Sequence, residues 1–204
     1  MSTEPQGDER LDPTLRIDWL PTDDLGEPPS GRLGMTFLPG KHGPSVRYPG
    51  LVYRRDLRAD LASLIGEGVH RLVLLVEDAE LARWGDPATV RTADALGLEV
   101  VRRPMPDGAP PRSVEEMDEI VELIRQGRST GDVAVACMGG VGRTGTVCAG
   151  ALIAAGLSAD GAVAAVRRAR HPEAVETAAQ RAFLDDYAIH RLHVRAAASA
   201  ARER

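Results

Sequence analysis

Residues 132–156 read DVAVACMGGVGRTGTVCAGALIAAG, an apolar strand, a glycine-rich turn and an apolar helix in direct succession. At the centre Cys137 is followed by Met138, Gly139, Gly140, Val141 and Gly142, and then by Arg143 and Thr144. Three of the five residues between Cys137 and Arg143 are glycine, so the backbone can close around a ligand with few side chains in the way. Amide N–H groups converging where a helix begins, at the positive end of its dipole, make a phosphate-sized anion site. Such a setting favours a cysteine as its nucleophilic thiolate, and the planar fork of an arginine can hold two phosphate oxygens. The plainer alternative is a buried cysteine beside a tight turn.

Two other glycine loops compete for the same residues. Gly140, Gly142 and Gly145 satisfy the G-x-G-x-x-G dinucleotide fingerprint, and Asp160 stands twenty residues after the first of them. That acid should end a second strand, whereas Gly156, Leu157, Ser158, Ala159 and Asp160 look like one helix stopping and another being capped. A nucleoside triphosphate loop needs lysine where Arg143 stands and glycine where Cys137 stands.

Immediately upstream, Ser113 and Glu116 form a capping box. Val114, Met117, Ile120, Val121 and Ile124 line one face of the helix that follows, which ends near Gly127. Further back, RLVLLV at residues 71–76 has the unbroken apolar character of a strand covered on both faces, and Leu57, Leu61, Leu64 and Ile65 precede it at helical spacing. Glu77, Asp78 and Glu80 could hold a metal, but acids favoured at a helix start explain them better. Asp86 and Pro87 open a helix that stops at Gly97, and residues 98–101 form another strand. Residues 33–38 read as a strand, preceded by a short one in which Leu15, Ile17 and Trp19 alternate with polar residues. Lys41, His42 and Arg47 follow in a flexible setting and read as solvated loop charges rather than substrate contacts. Downstream, Ser158 caps a helix closing at His171 and Pro172, whose Arg167, Arg168 and Arg170 suit its dipole better than they suit a docking patch. A final helix from about Glu176 presents Phe183, Leu184 and Tyr187 on an apolar face. Strand, crossing helix and strand thus recur, which predicts an α/β fold with a mainly parallel central sheet and helices on both faces. The turn after Cys137 then lies at the carboxyl end of a strand, where open α/β sheets bind ligands.

Before the capping box comes RRPMPDGAPPRS, residues 102–113. Prolines stiffen both limbs of this loop and Gly108 leaves a hinge, a placement that suits Asp107 as an acid swinging over a site. The alternative is an ordinary turn aspartate.

With 43% apolar residues in 204, the chain can bury one substantial core, so one domain over residues 13–195 is expected, with a disordered segment at 1–12 and a tail at 196–204. A formal charge of −5 provides no broad field for nucleic acid or anionic lipid. The two cysteines cannot make a disulfide framework, and no N-terminal run resembles a signal peptide. Residues 146–157, the longest apolar stretch, are too few to span a bilayer, so no membrane partner and a cytoplasmic setting are expected. Cys148 reads as a small buried helix residue rather than a redox partner of Cys137.

Cys137, Arg143 and Thr144, in the order Cys, five residues, Arg, Ser or Thr, resemble the loop of the cysteine-dependent protein tyrosine and dual-specificity phosphatases. GMTFLPG at 34–40, MPDGAPP at 105–111 and EAVETAAQRAFLDDY at 173–187 are similar to segments of the kinase-associated phosphatase branch, so the resemblance covers roughly residues 31–190. Asp107, thirty residues before Cys137, has a spacing similar to that of the family's general acid. The resemblance implies Cys137 as nucleophile, Asp107 as acid and then base, and Arg143 with Met138, Gly139, Gly140, Val141 and Gly142 as the phosphate cradle. It also implies Thr144 as a hydrogen-bond partner of the thiolate. Gln180 falls where the family can position water, an ordinary surface glutamine being the alternative. No metal or cofactor is implied. The one departure is Ala136, where the family usually has histidine, so the thiolate has one supporter fewer. Loops for phosphoinositides usually carry lysines, and residues 138–142 have none, so phosphorylated proteins are the expected substrates, ahead of small phosphate esters. A phosphate-binding pseudoenzyme and a rhodanese-like sulfurtransferase are the competing readings; Arg143, Thr144 and Asp107 favour phosphatase chemistry over the second.

Overall fold

The computed structural model describes residues 15–26, 31–45, 47 and 49–202, so the expected disordered segment at 1–12 lies outside the described residues. In chain order the elements are β1 (Asp18–Trp19), β2 (Leu33–Phe37), β3 (His42–Pro44), β4 (Val52–Arg54), α1 (Leu57–Gly66), β5 (Val69–Leu74), α2 (Asp78–Trp84), α3 (Thr89–Ala95), β6 (Glu99–Arg102), α4 (Val114–Arg128), β7 (Asp132–Cys137), α5 (Gly142–Ala155), α6 (Ala159–Ala169) and α7 (Ala178–Arg202). The main sheet has the order β1-β2-β7-β5-β6 and is parallel except for the antiparallel edge strand β1. The strand that delivers Cys137 is therefore the central one. A separate hairpin pairs β3 with β4.

Strand alternation divides the core in two. Val133, Val135 and Cys137 join the side chains of α4, α5, α6 and α7 on one face, among them Met117, Ile120, Val147, Leu152, Val163, Leu184 and Tyr187. Ala134 and Ala136 meet the opposite cluster, built from Leu57, Leu61 and Leu64 of α1, Leu81 of α2 and Ala93 of α3. Both faces of β7 are covered, which is why it reads as an unbroken apolar run. The α/β architecture expected from the sequence is the one observed.

Local signals mostly hold, with informative differences. Ser113 accepts from Glu116 N as a cap should, but the Glu116 carboxylate bonds Arg112 N at 2.6 Å, so the box is completed one residue upstream of its usual position. Ser158 caps α6 through Gly161 N. The face of α7 carrying Leu184 and Tyr187 is fully buried, and Tyr187 Oη donates to Asp118 of α4 at 2.6 Å. His190 and Arg191 also reach Asp118, which ties the last helix to the helix before the central strand. Among the described residues, no helix is long and apolar enough to cross a membrane.

Candidate active site

After Cys137 the chain turns through residues 138–141 into the first turn of α5. Gly140 has φ 67°, and a Cβ there would collide with the Thr36 carbonyl, so glycine is what lets the loop fold back on β2. This geometry aims Gly140 N–H at Cys137 Sγ, 3.2 Å away. Arg170, at the end of α6, holds the same loop by its carbonyls. It donates to Gly140 O at 2.9 Å and Gly139 O at 3.1 Å, and its third contact is Asp18 Oδ2 at 2.6 Å. With these carbonyls held, the peptide planes of the loop are fixed.

Arg143, only 1% exposed, is the deepest charge in the site. Glu80 takes its two terminal nitrogens in a fork, at 2.6 and 2.7 Å, and Met105 O accepts from Nη1 at 2.9 Å. Asp107 Oδ1 lies 2.9 Å from Nη2 while its side chain stays 82% exposed. Burial works against the charge on Arg143, but Glu80, Cys137 and Asp107 outweigh it and raise its pKa above the ordinary value. Burial likewise opposes ionisation of Glu80, and the hydrogen bonds from Arg143 and Glu77 N hold the carboxyl below its usual range.

The acid loop is tethered rather than loose. Gly108, expected as a hinge, has φ 72°, and its carbonyl accepts from Thr177 Oγ1 at 2.9 Å. Ala109 O accepts from Gln180 Nε2 at 3.3 Å. Gln180 is fully buried, which rules out the surface alternative; its Oε1 accepts from Glu176 N and Thr177 N just ahead of α7. A Cβ on Gly142 would collide with the Glu176 carboxylate and come within 3.3 Å of Gln180 Nε2, so this corner packs directly on the phosphate loop. Val175, nearby, is buried with φ 64°, a conformation that costs a β-branched residue about 1–3 kcal/mol and is held in place by its neighbours.

The structure thus brings Cys137, residues 138–142, Arg143, Asp107 and Gln180 into one cluster. Thr144 is buried beside them, but the expected bond to Cys137 Sγ is not made and its hydroxyl has no partner among the described residues. Ala136 points away from Cys137 into the opposite core, and Met138 packs against that core. Cys148 is free and completely buried, and burial pushes its thiol far above the ordinary value, as suits a packing residue.

Three residues near the site escaped the sequence. Glu80 does belong to a reciprocal capping box with Glu77 at the start of α2, but its pairing with Arg143, across 63 positions, left no local mark. Arg170 suits the helix dipole and also holds the phosphate loop. Lys41 corrects the reading of a solvated charge, for it is only 8% exposed. Arg47 is not a free charge either, being paired with Glu173 and Glu176.

Residues 52–157 match a family model described as "Polymorphic toxin system, DSP-PTPase phosphatase". Cyclin-dependent kinase inhibitor 3 of Rattus norvegicus is 26% identical over 189 residues, covering 90% of this chain and 82% of its own length. Among solved structures, kinase-associated phosphatase with its catalytic-site cysteine replaced by serine superposes with a TM-score of 0.74 at 22% identity, covering 85% of this chain and 94% of that one. Tk-PTP in its active form gives 0.62 at 32% identity, covering 78% and 92%.

Glu80→Ala should leave the buried Arg143 charge with Asp107 as its only carboxylate and lower stability by about 3 kcal/mol in urea denaturation. A loss below about 0.5 kcal/mol, the range of neutral surface changes, would mean that Glu80 does not support the site.

Proposed function

Because the chain belongs to the DSP-PTPase phosphatase family, we propose that it hydrolyses phosphomonoesters through a cysteinyl-phosphate intermediate, acting on phosphotyrosine or on phosphoserine and phosphothreonine of proteins. One observation carries the reading: Cys137 at a helix-start glycine loop, a buried Arg143, and Asp107 2.9 Å from that arginine meet in a single cluster. Each group has a chemical task there.

Cys137 Sγ attacks phosphorus in line with the ester oxygen, forming the S–P bond as the O–P bond breaks. Loop amides and Arg143 are assigned to the charge spread over the three remaining oxygens, where rigidly held donors are effective. Asp107, exposed at the mouth, donates its proton to the departing oxygen. In the second step Asp107 takes a proton from water, which attacks phosphorus and returns the sulfur as thiolate. Thr144, whose hydroxyl is otherwise uncommitted, is assigned as the donor to that sulfur, and Gln180 is assigned to orient the water. These steps call on no metal or cofactor.

Residues 138–142 carry no cation for additional phosphates on the substrate, which supports singly phosphorylated side chains of proteins. The kinase-linked names of two relatives agree with a protein substrate. A nucleophilic thiol also needs a reducing compartment, and the cytoplasm meets that need.

The test is turnover of a small aryl phosphate alongside phosphopeptides, phosphoinositides and nucleotides. Cys137→Ser should abolish hydrolysis, and unchanged hydrolysis would overturn the mechanism. Asp107→Ala should lower kcat by about 10²–10⁴ with little change in KM. Tight binding of phosphopeptide without turnover by the native chain would make it a phosphate-binding module instead.

A further inference from the structure

The reaction as written leaves Lys41 unused. Strands β2 and β7 run parallel with Phe37 paired to Cys137, so the chain after each strand leaves the sheet side by side at its carboxyl edge. The Lys41 backbone is pinned there: Gly40 N donates to Asp60 Oδ2 at 2.8 Å and Arg55 N donates to Lys41 O at 3.1 Å. The residue is 8% exposed, with Nζ 4.0 Å from the centroid of the Tyr53 ring. Among the described residues, that ammonium has no hydrogen bond and no carboxylate partner.

The charges that act on Lys41 are Cys137, Arg170 and Arg47. Both arginines are engaged elsewhere, Arg170 with Asp18 and the loop carbonyls, Arg47 with Glu173 and Glu176. A cation withdrawn from water without a counter-ion carries a large free-energy cost, which a neighbouring anion relieves. The anion that fits beside Cys137 is a phosphoryl group.

We propose that Lys41 is a second cationic ligand of the substrate's phosphoryl group, acting with Arg143 from the connection that follows β2. The inference rests on residues 137–144 being the phosphate site. It places a lysine in the pocket although residues 138–142 contain none. It also makes binding depend on pH in a specific way. Burial pulls the Lys41 pKa down to about 8; Cys137 raises it, and Arg170 and Arg47 lower it. Lys41 is therefore mostly charged at neutral pH and loses its proton as pH rises through about 8, and a bound anion favours the charged form.

Calorimetric titration of inorganic phosphate into the native chain, Lys41→Met, Lys41→Arg and Arg143→Met tests this. Lys41→Met should weaken binding about tenfold at pH 7, and Lys41→Arg, which keeps the charge, should recover most of it. The ratio of native to Lys41→Met affinity should fall towards one by about pH 9.5, since titration of the free phosphate is common to both measurements and divides out. Equal binding by Lys41→Met at pH 7, or a ratio indifferent to pH, would overturn the role of Lys41 alone. Absence of phosphate binding by the native chain, or native-like binding by Arg143→Met, would overturn the phosphate-loop reading itself and this inference with it.

Discussion

A buried guanidinium has to be matched, and Arg143 is matched by groups from separate crossings of the sheet. Glu80 comes from the connection after β5, and Met105 O and Asp107 come from the loop after β6, while Arg143 itself follows β7. Leaving such a charge uncompensated costs several kcal/mol, so the three loops are stable together in the arrangement that surrounds it. From there the constraint spreads. Thr177 and Gln180 bind the acid loop to the start of α7, and Arg170 binds the phosphate loop to α6 and β1. The carboxyl edge of the sheet is held by polar contacts, above a core whose two faces are almost wholly apolar.

This arrangement also reconciles an acidic chain with an anion site. The net charge of −5 is a sum over the surface, whereas Arg143, Arg170, Lys41 and Arg47 gather at one edge. Three of these four have carboxylate partners, in Glu80 and Asp107, Asp18, and Glu173 with Glu176. Paired cations organise the backbone at modest electrostatic cost. Phosphate chemistry draws on the local field, so the overall charge does not exclude it.

How much of this was legible depended on the range of the interaction. Cys137, the glycines and Arg143 stand within seven consecutive positions, and the demands of a strand-turn-helix anion loop are written into that spacing. Asp107 was readable because prolines and Gly108 mark its loop, though the tethers that hold the loop were not. The parallel α/β architecture followed from apolar strands separated by amphipathic helices. Glu80, Arg170 and Lys41 were misread or half-read for one reason: each has an adequate local explanation, as cap, dipole partner or loop charge, and each takes its second role from residues far away in sequence. Gln180 is ambiguous in sequence for the same reason, since its burial between the acid loop and Gly142 depends on residues far from it in the chain. The Ser113 cap was legible as a pattern, while the Glu116 bond to Arg112 N was a detail of geometry that the pattern does not specify.

The central claim is that phosphate passes through sulfur at Cys137. Rapid acid quench of the native chain during turnover of an aryl phosphate, followed by peptide mass spectrometry, addresses it directly. The account predicts one phosphoryl group on the peptide containing Cys137, lost under conditions that cleave S–P bonds and absent from a Cys137→Ser control. A phosphoryl group on another residue, or steady turnover with Cys137 replaced, would contradict it.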